Sequence, residues 1–231
     1  MRIDVLTLFP HMFDGILNES ILKRAQDKEL IKVQTIDIRE FSTNKHRKVD
    51  DYPYGGGQGM LMAVEPIYNA YMHIVKESGN KPYVIYMTPQ GKVFNQEIAK
   101  DIAKLEHIVL LCGHYEGIDQ RIIDELVDLE LSIGDYVLTG GEIPAMVAID
   151  CISRLIPDVL SVQESFEDES HFNGLLEYPQ YTRPREFLGR VVPDVLLSGN
   201  HEEIRKWRCE KSLENTRLKR PDLFDKYNNG K

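Results

Sequence analysis

Residues 83–141 read YVIYMTPQGKVFNQEIAKDIAKLEHIVLLCGHYEGIDQRIIDELVDLELSIGDYVLTGG, and their order decides the fold. Three apolar runs of strand length, Tyr83–Met87, His107–Cys112 and Leu129–Ile133, are separated by two stretches of helical pattern. The first stretch, Asn95–Glu106, opens on an asparagine suited to cap it; the second runs from Gly117 to Val127. The first two runs do not alternate with polar residues, as expected of strands covered on both faces. Strands alternating with helices predict an α/β domain with a largely parallel sheet. Each run then ends in a glycine-bearing loop: Thr88-Pro89-Gln90-Gly91, Gly113-His114-Tyr115-Glu116-Gly117, and Gly134-Asp135-Tyr136-Val137-Leu138-Thr139-Gly140-Gly141. Ligands of open α/β sheets bind in the crevice at the carboxyl ends of the strands. Glycine is needed where backbone must approach a ligand closely or take positive φ. The three loops either present backbone groups to one small molecule or are ordinary turns.

The same alternation continues upstream. Ile3–Phe9 and Val33–Ile38 read as strands, with a helical stretch through Ser20-Ile21-Leu22-Lys23-Arg24-Ala25-Gln26 between them. Pro66 suits the first turn of a helix reaching about Glu77, and residues 141–156 are apolar enough for a mostly buried helix. Two long irregular stretches remain. Residues 40–62 are polar and then glycine-rich; residues 157–174 are acidic and carry no period. Loops of this length in a compact chain are functional lids or linkers. Helical patterns return at about 184–190 and 200–218. The expected organisation is an α/β domain over residues 1–160, a flexible linker over 161–174, and a small all-α domain over 175–231.

At 231 residues, 42% hydrophobic and 28% charged, the chain can bury a sizeable core. No run approaches the roughly 18–20 apolar residues that span a bilayer, and the start, MRIDVLTLFPHMF, reads as a strand rather than a secretory signal. Three distant cysteines without a C-x-x-C argue against disulfides or a zinc knuckle and for a reduced, cytoplasmic setting. The net charge of −9 disfavours a nucleic-acid partner. From Tyr181 onward, however, 12 Lys and Arg face 8 Asp and Glu, which makes a mildly basic segment on an acidic body.

Common enzyme fingerprints are missing: there is no G-x-G-x-x-G, no P-loop, no H-E-x-x-H and no G-x-S-x-G. What remains are two further clusters. Asn44-Lys45-His46-Arg47-Lys48-Val49-Asp50-Asp51 leads into Tyr52-Pro53-Tyr54-Gly55-Gly56-Gly57-Gln58-Gly59-Met60. Four glycines in five residues exclude helix and stable strand. The segment is a bare flexible loop, or it follows a phosphate backbone and stacks on a base. The second cluster is acidic: Asp168-Glu169-Ser170 precedes Leu175-Leu176-Glu177-Tyr178-Pro179-Gln180-Tyr181-Thr182-Arg183-Pro184. Arg154, four residues after Asp150, fits a surface ion pair of small worth.

Taken in order, DVLTLFP (4–10), DDYPYGGGQGM (50–60), TPQG (88–91), GHYEGID (113–119), SIGDYVLTGGE (132–142) and GLLEYPQYTRP (174–184) resemble the TrmD family of bacterial tRNA (guanine-N1)-methyltransferases. The resemblance implies a SPOUT-type α/β domain whose C-terminal part is tied in a trefoil knot, a topology that pattern rules would discard. It implies S-adenosylmethionine held in the knot by Pro89, Gly91, Gly113, Tyr115, Glu116, Ile133, Gly134, Asp135, Tyr136, Val137, Leu138, Gly140 and Gly141. It also implies a homodimer with each active site between subunits. The implied reaction is methyl transfer to N1 of the guanine immediately 3′ of the tRNA anticodon. The family's general base is usually an aspartate in the linker. Glu169 stands at that position here, and Asp168, one residue earlier, is the alternative. Arg154 matches the family's catalytic arginine. His46, Asp50, Gly55, Gly59, Arg183 and the basic tail are the expected tRNA contacts. No residue is assigned to a divalent ion.

Two rivals stay open at this point. A ribose 2′-O-methyltransferase of the same superfamily would target a hydroxyl and lack the Tyr181-Thr182-Arg183-Pro184 segment. A non-catalytic RNA-binding module would leave the three glycine loops without a ligand and the acidic linker without a role.

Overall fold

The computed structural model describes residues 1–160 and 169–229 of the chain, which divides into two compact units, Met1–Ser161 and Val162–Lys231. In the first unit the strands are β1 (Arg2–Thr7), β2 (Lys32–Asp37), the two-residue β3 (Asp50–Asp51) and β4 (Leu61–Met62), β5 (Tyr83–Val93), β6 (His107–Cys112) and β7 (Leu129–Ser132). The helices are α1 (Asp14–Leu17), α2 (Ser20–Asp27), α3 (Val64–Ser78), α4 (Gln96–Ile102), α5 (Gln120–Leu126) and α6 (Glu142–Ser153). Five strands form one sheet in the order β2-β1-β6-β5-β7, and every neighbouring pair is parallel. The expected α/β class with a parallel sheet holds.

Side chains along the central strands β1, β5 and β6 alternate between two cores, which explains the unbroken apolar runs of β5 and β6. Ile3, Val5, Ile85, Met87, Ile108, Leu110 and Leu131 point to one face, where Ala145, Ala148, Ile149 and Ile152 of α6 and Ala99 and Ile102 of α4 cover them. Leu6, Val84, Tyr86, Val109 and Leu111 point to the other. There Ile67, Ala70, Tyr71 and Ile74 of α3 join Ile122 and Leu126 of α5. A fully buried Ile or Leu stabilises by about 1.5–3 kcal/mol relative to leaving it in water, so a helix shorn of its apolar face would not stay docked. Helix ends follow local chemistry. The Asn95 side chain accepts from Ile98 N and caps α4, as expected from sequence. Asp119 accepts from Arg121 N and caps α5.

Several boundaries differ from expectation, each for a local reason. α4 stops at Ile102 because its last turn tightens: Leu105 N bonds Ile102 O at 3.0 Å and Lys104 N bonds Asp101 O at 3.3 Å. α5 starts three residues later than Gly117, whose φ of 128° keeps it out of a helix. The larger correction concerns Thr88-Pro89-Gln90-Gly91, which does not end its strand. β5 continues to Val93, and its register against β7 shifts between Met87 and Lys92, both of which oppose Leu131. Pro89 has no N–H to give a ladder and so belongs in such a bulge. Beyond it Gly91 presses on β7. A Cβ there would lie 2.3 Å from Leu131 N and 2.4 Å from Glu130 C.

The second unit contains α7 (His201–Lys219) and α8 (Pro221–Asn229). Asn200 caps α7 by accepting from Glu202 N and Glu203 N, and the two glutamates of that first turn favour the positive end of the helix. α8, unread in the sequence, opens on Pro221, a residue suited to a first helical position. Buried Thr216 of α7 takes Leu176 N at 2.8 Å, and Asn215 Nδ2 donates to Glu177 O at 3.0 Å, which pins the preceding segment to the helix. The expectation of helix over 184–190, and with it an all-α second domain, is corrected. β8 (Glu186–Phe187) and β9 (Arg190–Val191) form an antiparallel hairpin there. Its two-residue turn, Leu188 and Gly189, has φ of 51° and 73°, the doubly positive pattern that matches strand twist.

Gly91→Ala should cost about 1–3 kcal/mol, because a backbone neighbour cannot move as a side chain can. Gly15→Ala in α1 meets nothing within 4 Å and should be neutral or stabilise by up to about 1 kcal/mol. Urea unfolding midpoints for the two variants check this pair; equal midpoints would refute the close approach of β5 to β7.

Candidate active site

A cavity of about 320 Å³ opens at the β5 bulge and the carboxyl ends of β6 and β7, the crevice that parallel sheets use for ligands. Its walls are the β5 bulge, the loop after β6 and the loop from β7 into α6. These are the three glycine-bearing segments picked out in the sequence. Of the residues carried over for the cofactor, Pro89, Gly113, Tyr115, Glu116, Ile133, Gly134, Tyr136, Val137, Leu138, Gly140 and Gly141 line it. Gly91 and Asp135 do not. Gly91 is spent on the approach to β7, and Asp135 is exposed at the turn.

The glycines of these walls are there for space. A Cβ on Gly113 would lie 2.9 Å from the Tyr86 ring. On Gly141 it would lie 2.7 Å from the Cys112 Cα, while Gly141 N bonds Gly113 O at 2.9 Å. The chain returning from β7 is thus laid directly on the end of β6. Lining residues that were not among those implied for the cofactor include Tyr86, Thr88, Gln90, His114, Thr139 and Pro144. Their only signal was position inside or beside the glycine-bearing segments.

The residues expected to meet tRNA divide. Asp50 and Gly59 do not line the cavity but neighbour Tyr115 and Glu116, which do. Partial burial, and after it the neighbouring Asp50 carboxylate, push the Tyr115 phenol above its ordinary range. Gly59 lies where a Cβ would meet the Glu116 side chain at 2.4 Å. Backbone bonds from Glu116 N to Met60 O (3.0 Å) and Met62 N to Gly117 O (2.9 Å) tie the glycine-rich segment to the loop after β6. His46 is exposed, its N–H held by Asn44 Oδ1 at 2.8 Å, and Gly55 stands in open solvent with φ of 86°. Beside it Tyr54 is wholly exposed.

Arg154 follows the last residue of α6, half-buried, with its N–H on Asp150 O at 3.3 Å. Burial pushes the nearby Cys151 thiol up, and the Arg154 charge opposes that shift. Glu169 belongs to the second unit, where it is half-buried and its carbonyl accepts from Phe172 N at 3.3 Å. Arg183, also in that unit, is exposed. Asp168 lies outside the described residues. Among the described residues no cluster of three or more His, Cys, Asp or Glu side chains is arranged to hold a metal ion, and no helix is long and apolar enough to cross a membrane.

The arrangement offers a ligand a backbone-lined slot with tyrosines at its sides and carboxylates at its rim. The family profile described as tRNA (Guanine-1)-methyltransferase TrmD matches residues 1–226. A protein named tRNA (guanine-N(1)-)-methyltransferase from Ruminiclostridium cellulolyticum is 62% identical over 229 residues, 99% of this chain and 98% of its own. Its namesake from Staphylococcus carnosus is 61% identical over 227 residues, 98% of this chain and 92% of its own. The crystal structure of tRNA (m1G37) methyltransferase from Aquifex aeolicus matches with a TM-score of 0.79 at 43% identity, over 98% of this chain and 95% of that one. With the fold, the sequence match over residues 1–226 and the close relatives in agreement, the chain belongs to the TrmD family of tRNA (guanine-N1)-methyltransferases.

Proposed function

We propose that this chain transfers a methyl group from S-adenosylmethionine to N1 of the guanine immediately 3′ of the tRNA anticodon. The observation that carries the reading is the glycine-walled cavity at the β5 bulge and the ends of β6 and β7, in a chain matched over residues 1–226 by the family profile. The relatives' names specify guanine N1, which favours this reading over a ribose methyltransferase or a non-catalytic RNA-binding module. Bound in the cavity, S-adenosylmethionine supplies an electrophilic methyl group. Cavity residues fit that ligand: the walls carry no Cβ where the backbone closes in, and Tyr86, Tyr115 and Tyr136 give flat, amphipathic surfaces beside it.

The chain's own groups then have definable work. Guanine N1 is protonated at neutral pH, so a carboxylate must take that proton as attack begins. Glu169 is the proposed base, with Asp168 the alternative. Arg154 neutralises the negative charge that develops on the guanine ring. Holding N1 in line with the methyl group supplies rate through orientation, and the base must leave the anticodon stack to get there. His46, Asp50, Gly55, Gly59 and Arg183, with the basic residues after Tyr181, are the proposed tRNA contacts.

The finer organisation belongs to the same reading. The trefoil knot is supported by the return of the chain after β7 onto Gly113. A homodimer is supported by Ile143 and Val147 on α6, apolar yet 48% and 44% exposed in the single chain; a cytoplasmic setting is supported by three distant cysteines without a C-x-x-C. Residues 161–174 would serve as linker and 175–231 as the tRNA-binding domain.

Labelled S-adenosylmethionine should methylate unmodified tRNA only when a guanine follows the anticodon. Glu169→Gln should reduce kcat by roughly 10²–10⁴-fold, the usual worth of a positioned base. If Asp168→Asn alone abolishes transfer, the base moves by one residue. No transfer to either tRNA by folded protein refutes the reading. Binding should also weaken steeply with salt, because phosphate contacts release counterions; a filter-binding series showing no salt dependence would exclude the proposed basic contacts.

A further inference from the structure

One buried carboxylate of the first unit takes no part in the chemistry above. Glu142 opens α6 and is 1% exposed. Its Oε1 accepts from Thr7 Oγ1 at 2.6 Å, and its Oε2 meets His114 Nε2 at 2.6 Å. Thr7 ends β1 and is itself held, its Oγ1 accepting from Phe9 N at 2.9 Å. His114 lines the cavity. The edge of Phe9 packs against the His114 ring at 4.9 Å between centroids, and the Arg39 guanidinium lies 5.2 Å over Phe9. Gly140, in the opposite wall, has no room for a side chain here: a Cβ would fall 2.3 Å from His114 Cε1 and 2.7 Å from Glu142 Oε2. A single carboxylate thus joins the end of β1, the loop after β6 and the loop before α6.

A helix start does not require this arrangement. Gly141 occupies the N-cap of α6 and no side chain caps it, so both Glu142 oxygens are committed to Thr7 and His114. An ionised carboxylate only accepts hydrogen bonds. His114 Nε2 is then the donor of that bond, on a ring that lines the cavity. Partners of this kind, one step removed from a ligand, fix the tautomer and orientation of a histidine.

We propose that Glu142 and Thr7 are positioning residues for the cofactor cavity, holding the His114 ring with its Nε2–H toward Glu142 and setting the wall formed by Gly140 and Gly141. The proposal rests on the reading of this cavity as the S-adenosylmethionine site. Glu142→Gln tests it closely. The amide keeps the size and can still accept from Thr7, but its NH₂ donates to His114 Nε2 and drives the ring proton to Nδ1.

The experiment uses the full chain. Calorimetric titration with S-adenosylmethionine, tRNA KM, thermal melting and nitrogen-15 histidine spectra are recorded for wild type, Glu142→Gln, Thr7→Val and Thr7→Ser. The expected result is a shift of the His114 proton from Nε2 to Nδ1 in Glu142→Gln. Cofactor affinity should fall roughly tenfold or more in that variant, the scale set by a hydrogen bond to a charged group, with tRNA KM unchanged. Thr7→Val should weaken cofactor binding and Thr7→Ser should restore it; this pair carries the test if Glu142→Gln does not fold. Wild-type binding with unchanged affinity in Glu142→Gln or Thr7→Val overturns the inference alone. Equal losses of cofactor and tRNA binding that track the melting temperature overturn it too, since they describe a fold effect. Wild-type protein that binds no S-adenosylmethionine overturns the reading of the cavity and the inference with it.

Discussion

The first unit depends on how closely its backbone segments approach at the carboxyl edge of the sheet. Gly141 N reaches Gly113 O at 2.9 Å, with no space for a Cβ against Cys112. At the far edge Gly91 sits against the backbone of Glu130 and Leu131 with no more room. Backbone cannot rotate out of a clash as a long side chain can, so these contacts demand glycine. Once they are made, the loops they join stand as the walls of one cavity, already shaped before a ligand arrives. Preorganisation of this kind spares the binding step the entropy of ordering loops.

The sheet beneath makes that precision affordable. With α4 and α6 on one face and α3 and α5 on the other, the central strands are buried on both sides. Close packing there leaves few degrees of freedom for the strand ends, so the bulge in β5 and the loops after β6 and β7 inherit fixed starting points. Polar groups in this interior are few and mostly paired, Thr7 with Glu142 and Asp4 with Arg2 and His107. Burial, and after it the Glu142 charge, pushes the Cys112 thiol well above its ordinary range, which leaves it an inert part of the core. The second unit has a different character. Its long helix α7 buries only Thr216, and the positive balance of charge after Tyr181 contrasts with the acidic remainder. A family that acts on tRNA has use for both: a rigid apolar platform for the small ligand and a charged surface for the polyanion.

Much of this was readable from residue order alone. Strands β1, β2, β6 and β7 lie within about two residues of their expected positions and α6 within three; for β6 the reason is that burial on both faces demands an unbroken apolar run, a local property. The cap at Asn95 is equally local. The family motifs are long enough that most residues carried over for the cofactor do converge on one cavity, although nothing in their periodicity says so. What depends on partners far along the chain was not legible. Residues 88–91 read as a turn because the strand that makes them a bulge, β7, lies some forty residues on. Residues 184–190 read as helix because nothing local announces that Leu188 accepts positive φ, a conformation that costs most residues energy. Thr7 and Glu142, 135 residues apart, share a hydrogen bond that no spacing rule reaches. By itself the sequence determined the class of the sheet, its two-faced burial and the family. Only the tertiary structure decided which glycines wall the cavity, which one serves strand packing, and which carboxylate holds His114. Propensity and pattern act over a few residues, whereas steric exclusion and hydrogen-bond pairing act between whatever the fold brings together.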